Sequence, residues 1–170
     1  MRKWPIEDNP GTTIRSLVIR IIRNVEEGLF LDESINRAFS ENTLPDNRKS
    51  LIYEITSGVI RWRGYLEWII SRLVKKNIKN DVRYLLWTSL YQISFMKKAD
   101  YHVVNETVEF AKKEFGVHIA GFVNAVLRRF IREKSAFTCT QDTKFNINDL
   151  SVSRSFPQWL IRRWTNRFGR

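Results

Sequence analysis

The chain has 170 residues, with 29 Lys and Arg against 18 Asp and Glu, so its formal net charge is +11. An apolar content of 43% is sufficient for a packed core and excludes wholesale disorder. The single cysteine, Cys139, excludes an internal disulfide and a cysteine-rich zinc module, and with only two histidines we expect no metal site. No apolar run reaches the roughly 20 residues of a membrane span, and the N-terminus lacks a secretory leader. These features predict a cytoplasmic protein without membrane contact.

The excess of positive charge indicates a polyanionic partner, because a protein that neutralises phosphates releases condensed counterions. The alternative is that a basic isoelectric point, about 10.1 here, only aids solubility.

Apolar residues recur mostly at spacings of three and four, and glycine and proline are scarce, so we predict an all-α chain. The residues between 82 and 97 are apolar around much of the helix, which is typical of a central, buried helix. Gly116 is the expected stop between the sixth and seventh helices. In chain order, the predicted helices run from a cap at Thr12 or Thr13 to about residue 28, over 34–40, from a cap at Asp46 or Asn47 to about 59, over 65–74, over 82–97 behind an Asp81 cap, over 103–115 and over 119–132.

The composition changes after Lys134. Residues 135–154 are rich in Thr, Asn and Ser and show no sustained period, so we predict a linker there. A last amphipathic helix is predicted over 157–168, with Trp159, Leu160 and Trp164 on one face. That face either folds back or stays exposed, and the arginines of the same helix (Arg162, Arg163 and Arg167) meet RNA or a neighbouring domain. We therefore divide the chain into a helical domain at 1–134, a linker at 135–154 and the start of a further subdomain at 155–170, in a sequence that looks truncated.

Arginines on the outer faces and ends of the predicted helices are the candidate phosphate contacts, although each alone is also explained as a solvated surface charge. Trp62 and Tyr65 lie among them and are candidates for stacking on unpaired bases, or else belong to the core. The candidate RNA-binding residues are Arg15, Arg20, Arg23, Arg61, Arg63, Arg128, Arg129 and Arg132.

Several polar residues inside apolar helices invite a catalytic interpretation, but structural roles explain them. Asn105 is expected to cap or brace the sixth helix, and Asn124 to satisfy backbone groups between packed helices. His102 and His118 lack a carboxylate pattern for acid–base work and are expected at helix ends. Glu106 has no assigned chemical role.

Two segments, 105–112 (NETVEFAK) and 121–128 (GFVNAVLR), resemble the NusB fold, a helical RNA-binding module of a transcription antitermination factor. The same module begins the 16S ribosomal RNA cytosine-C5 methyltransferases of the RsmB (Sun or Fmu) family. Three further segments resemble that methyltransferase family: the Gly-Val-x-Arg helix end at 58–61, Leu127-Arg128-Arg129, and the Ser-x-Pro-x-Trp-Leu pattern at 155–160. A free-standing antitermination factor would end before the last of these.

The resemblance implies a bundle of about seven helices, followed by a linker and a helix. It also implies a separate methyltransferase domain that binds S-adenosylmethionine and carries two catalytic cysteines. No strand followed by a glycine-rich turn is evident in this chain, so we expect no cofactor site and no catalysis from it alone. Thr138-Cys139 repeats the family's catalytic dipeptide, but in a polar linker we expect a plain cysteine.

Three functional hypotheses follow. The first is the RNA-binding N-terminal domain of a ribosomal RNA cytosine-C5 methyltransferase, with RNA, including 16S ribosomal RNA, and its own C-terminal methyltransferase domain as partners. The second is a NusB-like antitermination factor that binds a leader RNA and a ribosomal protein. The third is an intramolecular scaffold that does not bind RNA.

Overall fold

The structure, a computed structural model, describes residues 13–96, 98–137 and 147–168, so Lys97, Cys139 and Gly169 lie outside the described residues. Over these ranges every regular element is helical, which confirms the all-α prediction. None of the described helices is both long enough and apolar enough to cross a membrane. The chain divides into two compact units at Gly58 and Val59. The helices are α1 (Ile14–Glu26), α2 (Leu31–Ser40), α3 (Asp46–Arg61), α4 (Arg63–Leu73), α5 (Asn80–Phe95), α6 (Asp100–Phe115), α7 (Val117–Arg132), α8 (Ile147–Arg154) and α9 (Gln158–Phe168), with a 3-10 turn at Lys134–Phe137.

In the first unit, α1 packs against α2. The Thr13 hydroxyl accepts a hydrogen bond from the Ser16 amide at 3.2 Å, so Thr13 is the predicted cap of α1. Between the two helices, the Asn24 side-chain amide donates to the Ser34 hydroxyl at 3.1 Å. This bond gives the buried Ser34 hydroxyl a partner.

The second unit is built around α5, which contacts α4, α6 and α7. Its apolar residues are buried around most of the helix, as predicted for a central helix. One polar contact in this core joins the Ser89 and Thr107 hydroxyls at 2.8 Å, and each hydroxyl also lies within hydrogen-bonding distance of a carbonyl of its own helix. Pairing removes the cost of burying these two hydroxyl groups.

Several predicted helix starts are wrong by a few residues. Asp46 and Asp81 lie inside the first turns of α3 and α5 instead of capping them, and Lys79 is the residue that precedes α5. Helix α6 begins at Asp100, so Asn105 lies in its interior and does not cap it. Acidic side chains favour the positive end of a helix throughout its first turn, so an aspartate marks that turn without identifying the capping residue.

The predicted linker is partly helical. Residues 147–154 form α8, which packs against α4, and α9 in turn packs against α8. The Gly64 amide donates to the Ser155 hydroxyl at 2.9 Å, and a Cβ on Gly64 would lie 3.1 Å from that oxygen. A glycine at this position permits the close approach. The eight residues of α8 show no hydrophobic period, so the sequence pattern did not predict a helix there. Short helices depend on tertiary packing, and α8 packs on α4. The boundary proposed at residue 134 stays a prediction.

Two glycines of the second unit are expected to respond oppositely to alanine. Gly116 has φ +90° and ψ 169°, whereas Gly121 lies inside α7, and an added Cβ meets no atom within 4 Å at either. Gly116→Ala is expected to lower the free energy of unfolding by about 1–3 kcal/mol through backbone strain. Gly121→Ala is expected to raise it by up to about 1 kcal/mol. Urea unfolding followed by circular dichroism measures both, and equal effects would contradict the assigned backbone at Gly116.

Candidate nucleic-acid interface

The last two turns of α7 present three arginines. Val123, Leu127 and Phe130 are buried on one side of the helix, while Arg128, Arg129 and Arg132 are exposed. Residues three and four apart lie on the same helix face, so Arg128 and Arg132 project side by side. This placement agrees with the sequence prediction for the seventh helix.

Arg129 connects this end of α7 to the end of α4. Its Nη1 donates to the Leu73 carbonyl at 3.4 Å, and its Nε donates to Glu133 at 3.1 Å. The last carbonyls of a helix have no partner within the helix, so an arginine here satisfies one of them and also favours the negative end of the dipole.

That contact brings further cations to the same place. Lys75 lies two residues beyond Leu73, so its Cα is within about 8 Å of the Leu73 Cα, and Lys76 is one residue further. Arg72 precedes Leu73 and holds its guanidinium 4.7 Å from the Trp68 ring centroid. All three side chains are exposed. We call the exposed cations at this place the α4–α7 basic surface. Its members are Arg72, Lys75, Lys76, Arg128, Arg129 and Arg132.

Sequence reasoning missed the lysines of this surface. Residues 75–80 fall between the helices predicted over 65–74 and 82–97, and no local pattern distinguishes a binding segment from a solvated connection there. The basic run directly after a helix was the available signal.

One acidic residue reduces the positive charge of the α4–α7 basic surface. Glu133 accepts from Arg129 and lies 3.4 Å from Arg132. The hydrogen bond from Arg129 lowers the pKa of Glu133, the charges of Arg129 and Arg132 lower it further, and desolvation opposes them. Glu133 therefore stays ionised at neutral pH and neutralises part of the positive charge.

The candidate arginines of α1 belong to the first unit. Arg15 is only 9% exposed, so its expected position on the outer face of α1 is wrong. Ile19 and Ile22, four and seven residues later, are buried and share its face. Arg20 is partly exposed and pairs with Glu41 at 2.8 Å, and Arg23 is also partly exposed.

Arg61 and Arg63 flank Trp62 where α3 ends and α4 begins, and both arginines are exposed. The Trp62 ring stacks on Phe95, with ring centroids 4.6 Å apart. Phe95 belongs to the range predicted as a central, buried helix but is 40% exposed. Helix α4 separates this position from Leu73 by 11 residues of sequence, or roughly 16 Å. It is therefore distinct from the α4–α7 basic surface.

The other polar candidates have local partners. Asn124 accepts from Arg128 Nε at 2.9 Å, which differs from the expected role between packed helices. His102 lies in the first turn of α6, at a helix end as expected, and is 3.2 Å from Glu106 one turn further along. Both side chains of that pair are exposed to solvent, and His118 is the second residue of α7. Within the ranges that the structure describes, no group of three or more His, Cys, Asp or Glu is placed to hold a metal ion.

The bundle and its basic, helix-borne surface define a class of helical module suited to polyanions. Comparison with known proteins identifies that class: residues 12–132 match the NusB family, and the chain belongs to this family.

Curated relatives resemble the chain over more than this range. "Probable ribosomal RNA small subunit methyltransferase B" of Bacillus subtilis is 28% identical over 163 residues, covering 93% of this chain and 36% of the relative. "Ribosomal RNA small subunit methyltransferase B" of Proteus mirabilis is 30% identical over 159 residues, with 91% and 36% covered. The protein of the same name from Photorhabdus laumondii is 30% identical over 155 residues, with 88% and 34% covered. The chain thus spans about a third of the length of these relatives.

The pKa of Glu133 tests the geometry of the α4–α7 basic surface. Arg129→Gln is expected to raise the pKa of Glu133 towards its ordinary value, Arg132→Gln to raise it less, and Arg128→Gln, which bonds Asn124, to leave it nearly unchanged. Carboxyl-carbon NMR titration of each variant measures this order.

The sign of the linked stability follows from the lowered value. The interaction stabilises the fold above the ordinary pKa of a glutamate, and this contribution is lost as the pH falls through the lowered folded value. A larger rise in the pKa of Glu133 in Arg128→Gln than in Arg129→Gln would contradict the assigned contacts.

Proposed function

We propose that this chain is the RNA-binding N-terminal part of an S-adenosylmethionine-dependent ribosomal RNA cytosine-C5 methyltransferase that acts in the cytoplasm on 16S ribosomal RNA. The observation that carries the proposal is that relatives named ribosomal RNA small subunit methyltransferase B match 88–93% of this chain, beyond the NusB range at 12–132. The chain matches only about a third of each relative. The catalytic part therefore lies in a longer polypeptide.

The described residues do not fit an S-adenosylmethionine site. They contain no strand, and so no strand followed by a glycine-rich turn at a helix start. The cofactor and the methyl transfer belong to the proposed catalytic part, and the role of this chain is to hold the RNA.

The α4–α7 basic surface supports the binding role. Its six cations are exposed and come from two helix ends that Arg129 joins. Such a surface binds phosphates without reading sequence, so it supplies affinity and orientation. Preference for a 16S ribosomal RNA element has to come from RNA shape and from unpaired bases.

Two lysines provide the sharpest test of this surface. Lys75→Ala with Lys76→Ala is expected to weaken binding and to lower the slope of log K against log salt by up to about 1.4–1.8, or 0.7–0.9 per lost phosphate contact. Fluorescence anisotropy with a 16S ribosomal RNA hairpin, between about 50 and 200 mM salt, measures the affinity and slope.

The matched control removes the same charge elsewhere. Lys112 and Lys113 are exposed in the last turn of α6, beside the start of α7 and roughly 18 Å along that helix from Arg129. This separation is about two Debye lengths at physiological salt. An equal loss from Lys112→Ala with Lys113→Ala would show that only net charge matters, and no binding by the unaltered chain would favour the scaffold hypothesis.

The NusB match at 12–132 also favours a second function, an antitermination factor that binds a leader RNA and a ribosomal protein. The two proposed functions differ in the RNA that the chain is expected to prefer. Competition between a 16S ribosomal RNA hairpin and a leader RNA distinguishes them, and preference for the leader RNA would support the second function.

Helix α9 supports the longer polypeptide. Trp159 is 64% exposed and Trp164 is 43% exposed, whereas Ile161 of the same helix is buried. The expected apolar face of this helix is therefore largely open. We propose that the methyltransferase domain packs on it, because large exposed aromatics in a chain that spans about a third of its relatives' length favour an intramolecular neighbour.

Trp159→Glu distinguishes a domain-docking role of the α9 face from a role within the 170-residue chain alone. In the 170-residue chain the melting temperature is expected to change little, because the side chain is mostly exposed. In a polypeptide extended by the catalytic part it is expected to fall by several degrees, because a charge would be buried in the domain interface. Differential scanning calorimetry of both proteins measures the difference, and an equal change in both would contradict the docking role of α9.

A further inference from the structure

A row of aromatic rings lies at the start of α4, apart from the α4–α7 basic surface. Trp62 stacks on Phe95 with ring planes 22° apart, and Tyr91 lies 5.4 Å from Phe95 at an angle of 31°. Phe95 is the last residue of α5 and Trp62 immediately precedes α4, so both occupy helix ends. Phe95 is exposed and Trp62 is partly exposed, which leaves aromatic surface open at this end of the row.

The neighbouring rings are committed to the fold. The Tyr65 hydroxyl donates to the Phe137 carbonyl at 2.8 Å, and its ring stacks on Trp68 at 5.9 Å. Trp68 meets Phe137 edge to face, and Arg72 covers it. Tyr65, a stacking candidate from the sequence, therefore stabilises the fold, and its ring also meets Trp62 and Phe95 edge to face at 6.2 and 6.1 Å. Trp62 and Phe95, with partly exposed and exposed surfaces, are the open pair that is available to a ligand.

The charges beside the open pair favour a nucleotide over an apolar protein surface. Arg61 and Arg63 are the sequence neighbours of Trp62, and both are exposed. An aromatic face takes the flat surface of a base, and adjacent guanidinium groups attract the phosphates on either side of it. An apolar protein partner would gain nothing from two flanking arginines.

We propose that Trp62 and Phe95 form a stacking site for an unpaired base of single-stranded RNA, with Arg61 and Arg63 beside its flanking phosphates. This inference rests on the RNA-binding role proposed above and adds its substrate class: RNA with an unpaired segment next to a structured one. The site differs from the α4–α7 basic surface because a duplex end can satisfy phosphate contacts, whereas stacking requires an unpaired base.

The length of α4 sets the size of that segment. The roughly 16 Å between Trp62 and Leu73 corresponds to about five nucleotides at 3.4 Å per nucleotide along a stacked strand. An unpaired segment of about this length reaches both the stacking site and the α4–α7 basic surface, and a much shorter one reaches only one of them.

The test uses the chain as it stands and a 16S ribosomal RNA hairpin carrying 2-aminopurine, at each loop position in turn. Stacking quenches the fluorescence of this base analogue, while anisotropy of an end label reports binding separately. Quenching on binding is expected at one loop position or two adjacent ones, and not for 2-aminopurine inside a fully paired RNA. Phe95→Leu and Trp62→Leu keep an apolar side chain without an aromatic face, and each is expected to abolish the quenching.

Affinity provides the second measurement. Loss of one base–aromatic stack is expected to weaken binding by about tenfold while leaving the salt slope unchanged. Phe95→Tyr is expected to retain both quenching and affinity, which shows that any loss in Phe95→Leu comes from the missing ring. Phe30→Leu changes an aromatic that is 81% exposed in the first unit, and serves as the matched control expected to have no effect.

The outcomes separate this inference from the proposed function. Binding that Lys75→Ala with Lys76→Ala weakens, but with no quenching at any loop position, would overturn the stacking site and leave the RNA-binding role intact. Quenching that persists in Phe95→Leu and Trp62→Leu would also overturn it. Absence of any binding by the unaltered chain would overturn both.

Discussion

The rotation of α7 about its own axis is the constraint on which the candidate interface depends. Val123, Leu127 and Phe130 are buried, and close packing of such side chains permits one orientation of the helix. Arg128 and Arg132 then lie in solvent, where their charge carries no desolvation cost. A rotation that exposed the apolar residues would also bury guanidinium groups without partners, which is strongly unfavourable. The core therefore determines where the positive charge is presented.

Arg129 has a different role from its two neighbours on α7. It donates to the Leu73 carbonyl at the end of α4 and to Glu133, so part of its hydrogen-bonding capacity is used within the fold. Because it satisfies a helix end, its contact holds the chain that follows Leu73 beside α7. Lys75 and Lys76 follow the bonded Leu73 carbonyl by two and three residues. Arg129 thus joins the ends of α4 and α7, and the other cations of the α4–α7 basic surface present their charge to solvent.

Periodicity predicted the parts of the molecule that depend on neighbours in sequence. The buried face of α7, the central helix α5 and the stop at Gly116, with its φ of +90°, follow from spacing and residue type. Arg15 was misplaced because the buried part of α1 is wider than one apolar stripe and includes both Arg15 and Ile19. The nearness of Lys75 to α7 was unpredictable, because it arises from a contact between residues 56 positions apart. The same holds for Phe95, whose exposure depends on where α5 ends against α4.

In the proposed arrangement, phosphate contacts and base stacking make different contributions to RNA recognition. Contacts to phosphates weaken steeply with salt and accept any strand, so the α4–α7 basic surface captures RNA without selecting it. Stacking depends little on salt and requires an unpaired base, so Trp62 and Phe95 distinguish a loop from a duplex. A catalytic partner that modifies a cytosine has to receive an RNA whose bases are accessible. A module that binds an unpaired segment about five nucleotides from its phosphate contacts would select an RNA with accessible bases, which phosphate contacts alone cannot do.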